Sequence, residues 1–214
     1  MTRRFVIIAT LIVLWALGVE AQEPGRWNFH VGGGIGFPQA TTGDFVGNAV
    51  HFEIGGGPNL TSHVGLAGEF MWHDLPIKQS VIDAFDVPDA GAREYTVTLN
   101  AIIRIPTHGR MGFYGIGGGG WYHRSGEVTA PALVPGTKCP IFWEWWGTCV
   151  SGLWPTNVVL ASASSNALGG NIGGGITYRL GSGPLSFYTE VRYHHASHHQ
   201  VDTDLLPLSF GLRW

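Results

Sequence analysis

The stretch Leu206-Pro207-Leu208-Ser209-Phe210-Gly211-Leu212-Arg213-Trp214 alternates apolar and other residues back from a closing aromatic. Successive side chains of a strand point to opposite faces, so Leu206, Leu208, Phe210, Leu212 and Trp214 share one face. Pro207, Ser209, Gly211 and Arg213 share the other. One face suits hydrocarbon and the other tolerates water, which constrains the chain to a sheet with a membrane-like outside.

The same period recurs in eight segments, at 26–37, 49–60, 63–73, 92–106, 110–124, 165–180, 184–196 and 204–214. In the first, Trp27, Phe29, Val31, Ile35 and Phe37 alternate with polar residues and glycines; in the fourth, Tyr95, Val97, Leu99, Ala101, Ile103 and Ile105 do so. The fifth, from Met111 to Arg124, carries aromatics on both parities and leaves its facing open. Connections alternate in length: Thr61-Ser62, Thr107-His108-Gly109 and Gly181-Ser182-Gly183 are tight, whereas 38–48, 74–91, 125–164 and 197–203 are long. An even strand number with short turns on one side and long loops on the other predicts an all-β, eight-stranded antiparallel up-and-down transmembrane barrel. Its turns would be periplasmic and its four longer loops outside.

Charged residues are 13% of the chain against 44% hydrophobic ones, where a soluble domain carries about a quarter charged. Much of the surface therefore should not face water. With 12 Lys+Arg against 15 Asp+Glu there is no basic surplus and no case for nucleic acid. Arg3 and Arg4, the apolar run Phe5 to Leu17 and the small residues before Gln22 read as a cleaved signal peptide over 1–21, for the general secretory route. Residues 22–214 are then a single barrel domain. The apolar run falls short of the roughly 20 residues a membrane helix needs.

A soluble eight-stranded barrel would need an apolar interior. Here Glu53, Glu69, Arg104, Arg179, Glu190, Arg192 and Arg213 share faces with Asn, Thr, His and Gly, and each Arg turned to lipid near the midplane would cost roughly 2–4 kcal/mol. They are expected inside, paired into a polar lumenal network that plugs the barrel, with His30, His51 and His73 as fillers. Trp27, Trp72, Trp121 and Trp214 fall near strand ends as an aromatic girdle. Glycine clusters at 32–34, 55–57, 117–120 and 173–175 leave room inside a narrow barrel. Centring the hairpins on Phe45 and Trp146 would set Gly34 near Gly56 and Gly118 near Gly174.

The third outer loop holds the only cysteines, Cys139 and Cys149, around Phe142, Trp143, Trp145 and Trp146. In an oxidising compartment they are expected to bond, stabilising the loop by roughly 3 kcal/mol. The enclosed aromatics either fold onto the barrel mouth or form a recognition surface. His194, His195, His198 and His199 crowd the last outer loop; a metal among them is the minority reading, since no Cys or settled carboxylate completes a set. No cofactor is expected.

Thr42-Gly43-Asp44-Phe45, Gly118-Gly119-Gly120-Trp121-Tyr122, Glu190-Val191-Arg192-Tyr193-His194 and Pro207-Leu208-Ser209-Phe210-Gly211 resemble recurrent segments of the bacterial outer-membrane protein β-barrel domain family. That resemblance implies a fold and a bacterial outer-membrane address, with lipid and lipopolysaccharide around the barrel and the outer-membrane assembly machinery as a partner. It names no reaction. Arg192-Tyr193-His194-His195-Ala196-Ser197 resembles the His-x-Ser segment of outer-membrane lipid A 3-O-deacylases, with His195 and Ser197 as base and nucleophile. His198 stands where that family has Asn, and the acids downstream are Asp202 and Asp204 rather than Glu. The leading reading is a monomeric barrel with a structural or surface-interaction role, contacting an extracellular ligand through loop three. A deacylase-like esterase and a conduit for small hydrophobic molecules are the alternatives.

Overall fold

The computed structural model describes residues 27–105, 107, 109–139, 148–199 and 201–214. Eight antiparallel strands form a closed ring, each paired with its neighbours in chain order. They are β1 (Trp27–Pro38), β2 (Ala49–Pro58), β3 (Val64–Pro76), β4 (Asp89–Ile105), β5 (Met111–Lys138), β6 (Val150–Arg179), β7 (Ser186–Ala196) and β8 (Thr203–Arg213). The seam runs from His30 opposite Arg213 to Pro38 opposite Leu205. Main-chain bonds between Phe29 and Trp214 finish it. Closure removes the open edges that would otherwise leave a row of unpaired donors and acceptors.

Alternation decides every strand's facing. Phe29, Phe52, Phe70, Val97, Phe113, Ile172, Val191 and Phe210 point outward and are exposed. Their neighbours in sequence point in and are buried, among them His30, Glu53, Glu69, Thr96, Tyr114, Asn171, Arg192 and Ser209. The facing of β5 is settled by Tyr114, Ile116 and Tyr122 inside and Phe113 and Trp121 outside. No helix among the described residues is long and apolar enough to cross a membrane.

The long connections within 38–48 and 74–91 carry short helices, α1 (Thr42–Phe45) and α2 (Gln79–Ala84). Two expectations need correction. The stretch 125–164 is mostly strand: β4 stays paired with β5 as far as Asp89 opposite Thr129, and β5 with β6 as far as Lys138 opposite Val150. A two-stranded ribbon thus rises beyond the barrel, with a bulge between Val128 and Thr129. Finally, Gly34 faces His51 and Gly56 faces Phe29, while Gly118 faces Asn171 and Gly174 faces Gly115. Glycine meets glycine on β5 and β6, but not at the expected positions.

Those glycines make space for rings. A Cβ on Gly32 would lie 2.2 Å from the Tyr188 hydroxyl, and one on Gly175 would lie 2.5 Å from that of Tyr114. The interior can thus seat tyrosines of opposing strands within one narrow bore.

Candidate functional site

Three places carry chemistry: the lumen, the outer end of β7 and β8, and the ribbon. In the lumen Arg192 is 1% exposed. Its Nε donates to Glu190 Oε1 at 2.6 Å, one terminal nitrogen donates to Glu69 Oε2 at 3.1 Å, and further bonds run to both carboxylates. Around this pair of forks, His30 Nε2 lies 2.8 Å from Glu69 Oε2. Tyr114 donates to Glu190 at 2.7 Å. Glu53 accepts from the Tyr188 hydroxyl and from Ser209 Oγ at 3.1 Å. The His51 Nε2–Ser209 Oγ contact of 2.8 Å extends the chain of bonds toward β3. Arg213 is buried, with its guanidinium 4.2 Å above the Tyr114 ring. Arg104 is half-buried and Arg179 exposed, both at the short-turn end and outside this network.

A different set forms on the outside of the wall. His195 and Asp204 are register partners on β7 and β8. His195 Nδ1 lies 2.8 Å from Asp204 Oδ1, and its Nε2 lies 3.2 Å from Ser197 Oγ. Tyr193, the next outward residue on β7, donates to the same Asp204 oxygen at 2.5 Å. The carboxylate is 8% exposed and the imidazole 47%. With Asp204 accepting from Nδ1–H, Nε2 is left as an acceptor facing a serine hydroxyl, the arrangement of a general base beside a nucleophile. Asp204 is held from behind as well, its N–H donating to Thr42 Oγ1 of α1 at 2.8 Å.

The histidines of the last outer loop do not share a centre. His194 and His198 point inward and are buried, whereas His195 and His199 point out. His194 Nδ1 meets the Tyr122 hydroxyl at 3.1 Å and His198 Nδ1 meets Ser165 Oγ at 2.9 Å. Burial, with Arg124 nearby, pushes the His198 imidazole below its usual range. Among the described residues no group of three His, Cys, Asp or Glu is placed to hold a metal.

Cys139 and Cys149 are bonded, joining the two strands of the ribbon near its tip. Phe142, Trp143, Trp145 and Trp146 lie outside the described residues, as does the segment 1–21. Trp27, Trp72, Trp121 and Trp214 all face outward; Trp27 stacks on Phe29 at 6.2 Å, and Phe29 lies 6.2 Å from Trp214 across the seam.

A sequence profile of the outer membrane protein beta-barrel domain matches residues 9–213. The chain belongs to that family. Solved barrels share its fold. A major outer membrane protein from Thermus thermophilus matches at 11% identity and a TM-score of 0.54, covering 90% of this chain and 99% of its own. Neisserial surface protein A matches at 12% identity and 0.51, covering 91% and 98%. Ail of Yersinia pestis, solved with the heparin analogue sucrose octasulfate, matches at 17% and 0.47, covering 88% and 97%. No curated relative matches. The protein is thus a bacterial outer-membrane barrel whose apolar outward band meets lipid, with its short turns in the periplasm and its ribbon outside.

Sequence reasoning passed over Tyr193 and weighed Asp204 only as a poor substitute for Glu. The signal was available, because Asp204 belongs by parity to the lipid-facing set of β8. A carboxylate there requires both an end position and donors around it.

Proposed function

We propose that this barrel is a surface-interaction protein whose β5–β6 ribbon is the contact element. The observation that carries the reading is the ribbon itself. Beyond Asp89 opposite Thr129 it has only two strands among the described residues, and at about 3.4 Å per residue the last nine residues of β5 run roughly 30 Å past the end of β4. An isolated two-stranded ribbon is marginal in water, and the Cys139–Cys149 bond ties its far end. Leu133, Val134, Leu153 and Leu160 are exposed along it, a run of apolar surface suited to a partner. Pro131, Pro135 and Pro155 interrupt its free edges, which blunts strand addition by other copies. On this reading Phe142, Trp143, Trp145 and Trp146, which lie between the ribbon's two strands in sequence, are its recognition residues. The chain is exported by its 1–21 segment, inserted by the outer-membrane assembly machinery and works as a monomer. The lumenal network leaves no diffusion pore, so planar-bilayer recordings will show no large stable conductance.

The test replaces residues 130–158 by a tight Asn-Gly turn in the full chain. Cells displaying the parent and the trimmed barrel are compared for adhesion to immobilised proteins and polysaccharides. Adhesion lost with the ribbon supports the reading; equal adhesion overturns it.

The hydrogen-bonded series Ser197, His195, Asp204 favours a second reading, hydrolysis of an acyl ester in the outer leaflet. Ser197 Oγ would attack the ester carbonyl as His195 Nε2 takes its proton, with Asp204 holding the imidazole and stabilising its charged form; the ester C–O bond then breaks, His195 gives the proton to the departing alcohol oxygen, and a water activated by the same imidazole hydrolyses the acyl-serine to release the fatty acid. A triad on the outer side of the wall meets lipid rather than a lumenal solute. Mass spectrometry of lipid A incubated with the refolded barrel is the test. Acyl loss abolished in Ser197→Ala supports hydrolysis, and intact lipid A with the parent excludes it.

A further inference from the structure

The periplasmic mouth of the barrel opens into a cavity of about 410 Å³. Its wall includes Arg104 of β4, Arg110 of the following turn, Arg179 of β6 and Arg213 of β8, and no Asp or Glu. The main chain joins Arg110 to Arg179 and anchors Arg104 beside the neighbouring turn. Arg179 N–H donates to the Arg110 carbonyl at 2.8 Å, and Arg104 N–H donates to the His63 carbonyl at 2.7 Å. Arg104 lies across Gly65, where a Cβ would come within 3.2 Å of both terminal nitrogens. That glycine therefore leaves the guanidinium room to fold over the opening.

Arg213 lines the inner end of the same cavity. It is 6% exposed, yet its Nε and one terminal nitrogen have no hydrogen-bond partner. The nearest carboxylate oxygen, on Glu190, is 3.8 Å away, which is an ion pair but not a hydrogen bond. Tyr114 and Tyr188 lie beneath the guanidinium at 4.2 and 4.9 Å and offer their faces rather than acceptors. Buried donors of a charged group are rarely left unmade. Three more guanidiniums line the same space, and against these four positive charges the lining holds no Asp or Glu and a single anionic group, the Trp214 α-carboxylate. Guanidinium forks match tetrahedral oxyanions through paired N–H bonds, and Asn28, Thr177 and Ser186 in the same wall offer neutral donors.

We propose that this mouth binds a phosphate-class oxyanion, either free phosphate or the phosphate of a lipid headgroup from the inner leaflet. Arg213 and Arg104 grip the anion from the barrel side, and Arg110 and Arg179 close over it from the rim. The site is separate from the ribbon and from Ser197, which lie at the opposite end of the strands.

The full-length mature barrel, refolded in zwitterionic detergent, is titrated with inorganic phosphate at low ionic strength and followed by ³¹P line broadening and calorimetry. Saturable binding is expected, displaced by sulfate but not by chloride at equal ionic strength. Arg110→Gln combined with Arg179→Gln touches the two most accessible members and spares the buried network. It is expected to weaken binding at least about tenfold, roughly one charge-assisted contact, with heat-modifiable gel mobility unchanged. Arg213→Gln is expected to abolish binding; should it fail to fold, the double variant still decides. Repeating the titration in phosphate-free amine-oxide micelles and in phosphatidylglycerol nanodiscs separates the sources. Phosphate binding suppressed in the nanodiscs assigns the site to a headgroup, and binding equal in both assigns it to free phosphate. Absence of saturable binding at millimolar phosphate, or equal affinity in the double variant, overturns the proposal.

Discussion

Removing the guanidinium of Arg192 tests whether the lumenal charges hold the barrel together. In Arg192→Met the carboxylates of Glu69 and Glu190, each 1% exposed, lose bonds that now run to one side chain. Glu69 keeps His30, and Glu190 keeps Tyr114 and the more distant Arg213. Adding a net value for each lost bond would overshoot, because the bonds share a single charge; breaking one buried ion cluster by removing a partner costs about 3–5 kcal/mol. With a urea slope of about 2 kcal/mol per molar, the unfolding midpoint falls by roughly 2 M. The assay is urea unfolding of the refolded barrel in detergent, followed by tryptophan emission and gel mobility without boiling. Arg192→Met combined with Glu69→Gln and Glu190→Gln removes charge together with partner, and is expected to recover most of the loss. A single variant within about 0.5 kcal/mol of the parent, as for an ordinary surface change, would refute the reasoning. So would a triple variant as weak as the single one.

Gly32→Ala places a Cβ 2.2 Å from the Tyr188 hydroxyl and 2.8 Å from the Phe210 carbonyl; a loss of roughly 1–3 kcal/mol is expected from overpacking, only partly relieved by Tyr188→Ala, and the same unfolding assay reads it. Cys139→Ser should make the ribbon sensitive to protease while the barrel stays heat-modifiable, because closing the ribbon end limits local chain entropy and the ring of strands does not depend on it. Thiol labelling of the unreduced parent should find no free thiol. His198, lowered by burial from 6.5, accepts a proton more readily when its loop is released, so the docking of that loop on Ser165 weakens as pH falls below that value. Protease sensitivity of the last outer loop should rise on acidification in the parent and stay flat in His198→Gln.

Strand order and facing were legible because period two is a strong signal wherever one side must be apolar, as in β1, β4 and β8. Register was less so, although the reason lay within reach. Residues directly opposite each other share a face, and the outward set is odd on β1 and even on β2. A hairpin centre must therefore fall between two residues, and the observed pairs centre it between Thr42 and Gly43 rather than on Phe45. The same parity excludes Trp146 as the centre for β5 and β6. The ribbon was hidden for another reason: above the rim both faces meet water, alternation no longer has a core to obey, and Ala130 to Lys138 reads as loop despite its pairing.

The outer-wall triad shows what parity could have added. Asp204 follows the inward Thr203 and precedes the inward Leu205, so it belongs with Leu206, Leu208, Phe210 and Leu212 on the lipid side. An ionised carboxylate in that set is tolerable only at the rim and only with donors beside it. Donors on the neighbouring strand must also point outward, which on β7 selects the odd residues and hence Tyr193 and His195. Closing the hairpin through 197–202 makes His195 the register partner of Asp204. From there the constellation follows without a motif, since Ser197, two residues past His195, emerges on the same side within reach of the free imidazole nitrogen. Asp204→Leu therefore separates structure from chemistry. A rim carboxylate that serves only packing should be replaceable by leucine with a gain in membrane stability and no change in lipid A. A triad acid should leave the barrel folded and lower any acyl release by about a thousandfold or more.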